Sequence, residues 1–221
     1  MRLLPLALSV DPVACFGKMD GRGQIGGSCR FCGQQSVVRQ EPISCTEAGS
    51  KRAKDAAAQA CAFCQLVRHL ERPAIDREAS LIWLPEMTQA ALNRVAWRMF
   101  RILVPERNKV VGVNAARTGK EPAAGAAELH QALRELACVA AKELGTSSPS
   151  ELGEVLLKLP SEIYARRAQS LGGIRLLPHG LFFVGGRDVF ASLCSGGHEV
   201  ARRDHRAGGE YDRDGVRQPR V

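Results

Sequence analysis

The chain has 221 residues, an apolar fraction of 45% and a formal net charge of +8. This length suits one domain, or one domain with an appendage, and the apolar fraction is that of an ordinary globular protein. The basic residues are scattered among acids, which indicates a solvated surface more than a nucleic-acid or membrane contact, and the aromatic content of 5% argues against a stacking platform for single-stranded nucleic acid.

The N-terminal stretch, residues 3–10, is apolar and predicts a short buried strand. A buried strand is favoured over the alternative of a secretory signal, because Pro5 interrupts the apolar run and Asp11 follows it at once. No other segment approaches the roughly 20 apolar residues that a membrane-spanning helix needs. With that interpretation of the N-terminus, we expect the eight cysteines to lie in the reducing cytoplasm, where free thiols and zinc thiolates persist.

Four of the eight cysteines form two Cys-x-x-Cys pairs, in the stretches CRFCG and CAFCQ. A two-residue spacing lets both sulfurs of a pair reach one ion at about 2.3 Å, so that two pairs complete a tetrahedron. One pair alone could equally be a redox pair. Two pairs predict a structural zinc site whose ligands are four thiolates. The predicted zinc ligands are Cys29, Cys32, Cys61 and Cys64.

The residues after the first pair predict a tight turn and a short strand. Gly33 suits the turn of a zinc knuckle, since glycine accepts a positive φ without strain. Residues 37–38 are both valine and suggest a strand that leaves the knuckle. Pro42 then marks a loop, and Cys45 in that loop is an alternative ligand, although the paired cysteines suffice for four-coordination.

Residues 48–61 are rich in alanine and lysine, which favours a helix before the second pair. The second pair lies near the first turn of a helix that Pro73 stops. A knuckle, short strands and a helix that carries the second ligand pair are typical of a treble-clef or ββα zinc module.

The next segment, SLIWLPEMTQAALNRVAWRMFRILVPE, predicts a strand over residues 81–84 and a helix from the N-cap Thr88 to Pro105. Apolar residues recur along one face of this helix and form a stripe, which Trp97 and Phe100 widen. We expect the stripe to face the core, with a partner groove as the alternative. The residues that recur at helical spacing are Leu92, Val95, Met99, Ile102 and Leu103.

A polar segment over residues 106–124 predicts a loop. Residues 126–144 follow with leucines on one side, which predicts a helix that Gly145 stops. His130 lies beside this leucine stripe without a cysteine or acid at ligand spacing, so we interpret it as a surface or core-edge histidine.

A further helix begins at the N-cap Ser148, with Pro149 at its first position and Glu151 as the partner in a capping box. Residues 162–171 predict a short helix that a Gly-Gly pair ends. Residues 174–178, IRLLP, predict an extended segment.

Beyond about residue 183 the apolar period fades and Gly, Arg and Asp dominate, which predicts disorder. His198 and His205 lie near Cys194 and could suggest a second metal site. Without supporting ligand spacing, a mobile tail is the better interpretation.

These elements predict an α+β fold, in which a small treble-clef or HNH-like (ββα) zinc module joins a mainly helical domain. The predicted divisions are residues 1–78 for the N-terminal strand and zinc module, 79–182 for the helical domain, and 183–221 for a disordered tail.

HNH endonucleases share the treble-clef core, which makes the nuclease function testable on the sequence. In those enzymes the strands and loop between the two pairs supply a general-base histidine and an asparagine. Residues 33–60 contain neither residue type. His69 follows the second pair but stands alone. With no base to activate water and no cradle for phosphate, we expect no catalytic activity.

The chain resembles the IcmJ/DotN family, a component of the Dot/Icm type IVB secretion system. The resemblance rests on four stretches in order: CRFCG, CAFC after a degenerate HNH loop, LIWLPEMTQAALN, and IRLLP. It covers roughly residues 3–178, and LPEMTQAALN is its most specific part. The family implies an HNH-like zinc fold without nuclease residues, with the four cysteines as ligands of a structural Zn²⁺.

The resemblance also implies a role as an adaptor in the type IV coupling complex. The expected partner is the C-terminal extension of a DotL-like coupling ATPase, beside DotM and the IcmS/IcmW chaperones. The protein would then be cytoplasmic and would reach the inner membrane only through these partners. A nuclease or nucleic-acid-binding zinc protein is the alternative, and a stand-alone zinc-stabilised helical domain is a third possibility.

Overall fold

The computed structural model describes residues 3–10, 28–34, 41–43, 58–109 and 120–194. Within these ranges the fold is α+β, as the sequence predicts, with helices around small antiparallel sheets. The described helices are α1 (Ala62–Arg68), α2 (Ile75–Glu78), α3 (Gln89–Lys109), α4 (Lys120–Glu135), α5 (Ala137–Leu144), α6 (Pro149–Lys158), α7 (Ser161–Ala165), α8 (Arg167–Ser170) and α9 (Phe190–Cys194).

The described strands form three separate antiparallel pairs. The paired strands are β1 (Glu41–Ile43) with β2 (Ala58–Ala60), β3 (Ala79–Trp83) with β4 (Ile174–Pro178), and β5 (Phe183–Val184) with β6 (Arg187–Asp188). No described helix has the length and apolarity required to cross a membrane.

The β3–β4 pair lies at the centre of the described core. Leu81 pairs with Leu176 in its register, and the side chains of both residues are fully buried. Both strands are predicted by the sequence, because each is a short apolar run between turn signals. Helix α3 packs against β4, and helix α5 packs against β3.

One continuous cluster of buried side chains links the cysteine-bearing segments to the helices that follow them. Phe63 on α1, for example, packs on Trp97 of α3 with ring centroids 4.6 Å apart. Trp97 and Phe100 are therefore core residues and do not line a partner groove. The division of the chain at residue 78 stays a prediction.

Residues 3–10 do not form a strand, which corrects the expectation for this stretch. The segment is held by separate backbone hydrogen bonds instead of a ladder. Leu4 N donates to Arg30 O at 2.8 Å, and Ser9 bonds Val67 and Leu70 through its N–H and its carbonyl, at 3.0 and 3.1 Å. These bonds place the segment between the first cysteine pair and the end of α1.

The helix predicted over residues 48–61 is wrong at residues 58–60, which form β2. The loop predicted at Pro42 is also wrong there, because Pro42 lies in β1 opposite Gln59. Pairing between the two strands overrides the helix propensity of alanine, which is a weak preference. The strand predicted at residues 37–38, and Cys45, lie outside the described residues.

Several local helix signals are confirmed, but the capping box predicted at Ser148 is only half formed, because Ser148 N donates to Thr146 Oγ1 at 2.9 Å instead of to Glu151. Ala91 N donates to the N-cap hydroxyl of Thr88 at 3.2 Å, and Glu151 N donates to that of Ser148 at 3.3 Å. Gly145 ends α5 in the left-handed region with φ 84°. Pro105 does not end α3, which continues to Lys109, since losing one backbone hydrogen bond does not always stop a helix.

Two predicted helices are interrupted. The helix predicted over residues 126–144 begins earlier, at Lys120 inside the predicted loop, and breaks at Leu136 between α4 and α5. The helix predicted over residues 162–171 divides into α7 and α8.

The disorder predicted from residue 183 is wrong for residues 183–194, which form β5, β6 and α9. The physical reason is Phe190, which is fully buried and stacks on Phe63 with ring centroids 5.2 Å apart. One large aromatic side chain anchors this segment without any periodic pattern around it. His198 and His205 lie outside the described residues.

Candidate metal centre

The first cysteine pair lies in a tight turn that closes on itself. Gly33 N donates to Cys29 O at 2.9 Å, and Cys29 N donates to Gln34 O at 2.9 Å. Gly33 has φ 72°, as the sequence predicts for a knuckle turn. The turn brings Cys29 and Cys32 to the same side, and both residues are fully buried.

The second pair lies at the start of α1, also as predicted. Cys61 is the N-cap of the helix with an extended backbone, and Cys64 lies within the first turn. Backbone N–H groups at a helix N-terminus have no partner within the helix and can point at sulfur. Cys61 N donates in this way to Cys29 Sγ at 3.4 Å, which joins the two pairs.

The four sulfur atoms lie within 4.8 Å of one another. Cys32 Sγ and Cys61 Sγ are 3.6 Å apart. A tetrahedral ion with metal–sulfur bonds of about 2.3 Å would separate its sulfurs by about 3.8 Å, whereas a disulfide would join them at about 2.05 Å. The cluster of Cys29, Cys32, Cys61 and Cys64 is therefore compatible with a structural metal site.

Hydrogen bonds and burial shift the thiol pKa values of the cluster in opposite directions. Hydrogen bonds from the Cys32, Cys61 and Cys64 thiols hold the pKa of Cys29 well below its usual range. Burial, by contrast, raises the pKa of Cys61 and the pKa of Cys64. If all four cysteines are thiolates, their buried space needs a positive charge, which a divalent cation would supply.

Two side chains of α3 direct N–H groups at the cluster. Asn93 Nδ2 donates to Cys64 Sγ at 3.3 Å, and Trp97 Nε1 donates to Cys61 Sγ at 3.3 Å. The two donors are one helical turn apart and therefore share a face of α3. Asn93 is fully buried and Trp97 is 3% exposed, so these contacts are shielded from water.

Aromatic rings cover the cluster. Phe63, between the cysteines of the second pair, packs on Trp97 and Phe190. Phe31 occupies the equivalent place in the first pair and is also buried. Complete burial of all four cysteines is typical of a structural site, because a catalytic metal needs an exposed open position.

In the part of the chain that the structure describes, these four cysteines are the only group of three or more potential ligands close enough to hold an ion. His69 is not among them; its Nδ1 lies 2.9 Å from Glu71 Oε1. His130 is half-buried and its Nε2 lies 3.3 Å from Pro178 O, which confirms the core-edge interpretation.

Sequence reasoning missed the contribution of α3 to the centre. Gln89, Asn93 and Trp97 recur at i, i+4 and i+8 and fall on the buried face of the helix. Two amides on an otherwise apolar face could have been recognised as buried groups that need partners. Their partner could not have been identified, since Cys64 is 29 residues away in sequence.

No protein-family model matches the sequence, and no curated protein matches it either. The family resemblance therefore rests on the four sequence stretches alone.

Proposed function

We propose that the four cysteines hold one structural Zn²⁺ in a treble-clef, HNH-like module. The order of the described elements supports this fold: the first pair lies in a turn, the β1–β2 pair follows, and α1 carries the second pair. Four thiolates at tetrahedral spacing suit Zn²⁺, although iron accepts the same donor set. Metal analysis of the purified protein decides between the two ions.

We propose further that the module is not catalytic. Residues 33–60, where an HNH nuclease carries its base, contain no histidine and no asparagine. His69, the nearest histidine after the second pair, is 9% exposed and is engaged with Glu71. A general base needs access to a water molecule that attacks the substrate, and this histidine has neither the position nor the exposure for that role.

The function that we propose is that of a zinc-stabilised adaptor in a type IVB secretion coupling complex, bound to the C-terminal extension of the coupling ATPase. The observation that carries this proposal is the convergence of the stretches on which the resemblance rests. Asn93, in LPEMTQAALN, contacts Cys64 of CAFC, and Gln89 of the same stretch contacts Leu176 of IRLLP. These contacts join the stretches into one connected unit, which supports the resemblance.

The test of the adaptor role is affinity purification of the tagged full chain from membranes of its bacterial host, with and without nuclease treatment. We expect a coupling ATPase to co-purify and to survive the nuclease. The matched control is the Cys61→Ser variant, which we expect to lose its metal. Recovery of only nuclease-sensitive partners would contradict the adaptor role.

A nucleic-acid-binding function is the second candidate, because α3 carries exposed arginines on one face. Arg94, Arg98 and Arg101 are spaced at i, i+4 and i+7 and are exposed. The test is DNA affinity of the wild type and of an Arg98→Gln, Arg101→Gln variant at several salt concentrations. The control replaces Lys142 and Lys158, which are exposed on other helices, with Gln. A steep salt dependence that only the arginine variant loses would favour this candidate.

A further inference from the structure

We infer that Asn93 and Trp97 are positioning residues of the metal centre, whose N–H groups hold Cys64 and Cys61 as metal-bound thiolates and slow the release of the ion. The inference rests on the metal-binding part of the proposed function and is independent of the adaptor role. It concerns a helix that lies outside the two cysteine-bearing segments.

The orientation of the Asn93 amide is determined by its surroundings. Gln89 bonds both backbone groups of Leu176: its Nε2 donates to the carbonyl at 2.9 Å, and its Oε1 accepts from the N–H at 2.8 Å. Only one orientation of the Gln89 amide satisfies both groups. Its Nε2 also donates to Asn93 Oδ1 at 2.9 Å. The NH₂ group of Asn93 must therefore face Cys64 Sγ.

This arrangement gives the buried Asn93 amide a defined acceptor. A buried amide N–H without a partner costs about 1–3 kcal/mol, so the contact with sulfur must be a true hydrogen bond for the site to be stable. A neutral thiol is a weak acceptor, whereas a thiolate forms a charge-assisted bond. The geometry is therefore matched to the metal-bound form of Cys64.

Trp97 acts on the second pair in the same way. Its indole Nε1 can only donate, and its contact with Cys61 Sγ at 3.3 Å is buried. With Cys61 N donating to Cys29 Sγ, three N–H groups point at three of the four sulfurs. One divalent ion and four thiolates carry a net charge of about −2, and these N–H dipoles stabilise that charge in a buried site.

The consequence is that a chain of hydrogen bonds connects the cysteine cluster to the β3–β4 pair. The bonds run from Leu176 on β4 through Gln89 and Asn93 on α3 to Cys64 on α1. Removal of a group that orients a metal ligand typically lowers metal affinity by about 10–100-fold. We therefore expect α3 to control how long the ion stays bound.

The test compares the rate of zinc transfer from the full-length protein to an excess of the chelating dye 4-(2-pyridylazo)resorcinol. Asn93→Leu keeps the size of the side chain and removes the donor, and Trp97→Phe keeps an aromatic ring and removes the N–H. We expect zinc release to be faster by about tenfold or more in each variant. Met99→Leu, a size-conserving change at another buried position of α3, should stay within about twofold of the wild type.

A second readout separates positioning from general destabilisation. In the Co²⁺-substituted protein, loss of an N–H donor makes the thiolate more electron-rich, so the sulfur-to-cobalt charge-transfer band should move to longer wavelength. Met99→Leu should leave the band unchanged. If Asn93→Leu does not fold, Trp97→Phe alone carries the test.

Wild-type release rates and unshifted bands in the variants would overturn the inference while leaving the metal site intact. A wild-type protein that binds no metal would overturn both the inference and the proposed zinc centre.

Discussion

Arg72 binds the carboxylate of Glu78 through two hydrogen bonds, 2.9 Å from Nε to Oε2 and 2.7 Å from Nη2 to Oε1. Glu78 is completely buried and Arg72 is 9% exposed. Both side chains also bond the backbone of Phe183, Glu78 by accepting from its N–H at 2.6 Å and Arg72 by donating to its carbonyl at 2.9 Å. The ion pair therefore fixes the start of the C-terminal segment to α2.

We expect Glu78→Gln to destabilise the protein by about 3–5 kcal/mol, because it leaves the Arg72 guanidinium buried without its counter-charge. The measurement is the free energy of unfolding in urea. The control is Glu154→Gln, which removes an exposed ion pair with Lys158 and should cost less than about 0.5 kcal/mol. Equal effects of the two changes would show that the buried pair contributes no more than a surface pair.

We expect Cys61→Ser to lose the metal and the folded state together, since Cys61 is a predicted ligand and metal binding in a small module is coupled to its folding. Metal content and far-ultraviolet circular dichroism of the purified variant measure the two losses. Cys138→Ser is the control, because Cys138 is exposed and lies outside the cluster. A full equivalent of zinc in Cys61→Ser would identify another fourth ligand, for which Cys45 is the first candidate.

Stability should fall as the pH falls from about 6.5 towards 4, in part because of His179. Its Nδ1 lies 3.3 Å from the Arg77 carbonyl and its Nε2 lies 3.1 Å from the Ser80 hydroxyl, an arrangement that suits the neutral ring. Burial lowers the pKa of His179 to about 4, and the positive charge of Arg134 and the neighbouring His130 act in the same direction. In the unfolded chain this histidine takes up a proton near pH 6.5, whereas in the folded chain it stays neutral until about pH 4. Protonation therefore favours the unfolded state, and the stability present above pH 6.5 is progressively lost as the pH falls below it.

The measurement for His179 is the urea midpoint of the wild type and of His179→Asn between pH 7.5 and pH 4.5. The variant should show a smaller decrease over this range. His130→Asn is the comparison, because burial also lowers the pKa of His130. An unchanged pH dependence in His179→Asn would contradict this assignment.

Gly180→Ala should lower the free energy of unfolding by more than an ordinary glycine replacement does. Gly180 has φ 72°, and an added Cβ would overlap the ring of Phe100. Gly145→Ala is the matched control, since Gly145 has φ 84° and no atom within 4 Å of the added Cβ. Both variants carry the left-handed cost of about 1–2 kcal/mol, and Gly180→Ala adds about 1–3 kcal/mol of overpacking. Equal melting temperatures of the two variants would show that the Phe100 ring moves aside freely.

The features predicted correctly from the sequence are those that a few neighbouring residues determine. The turn at Gly33 and the caps at Thr88 and Ser148 follow from residue types whose preferences act within four positions. The grouping of the four cysteines follows from their two Cys-x-x-Cys pairs, because a set of four sulfur donors at this spacing is typical of a structural metal site.

The features predicted wrongly depend on contacts that are distant in sequence. Residues 58–60 favour helix locally and form a strand because β1 lies beside them. Phe190 lies in a segment without apolar period and is ordered by Phe63, far earlier in the chain. The hydrogen bond between Asn93 and Cys64 could not be predicted for the same reason, since nothing in the sequence around either residue identifies the other as its partner.

The pairing of β3 with β4 has a consequence for biosynthesis. Trp83 pairs with Ile174 and Ala79 with Pro178, so helices α3 to α8 are all made between the two strands. A chain that leaves the ribosome N-terminus first carries β3 as an unpaired edge until β4 has been translated. The nascent protein therefore passes through a long interval in which a buried strand of the finished fold is open to aggregation or to a chaperone.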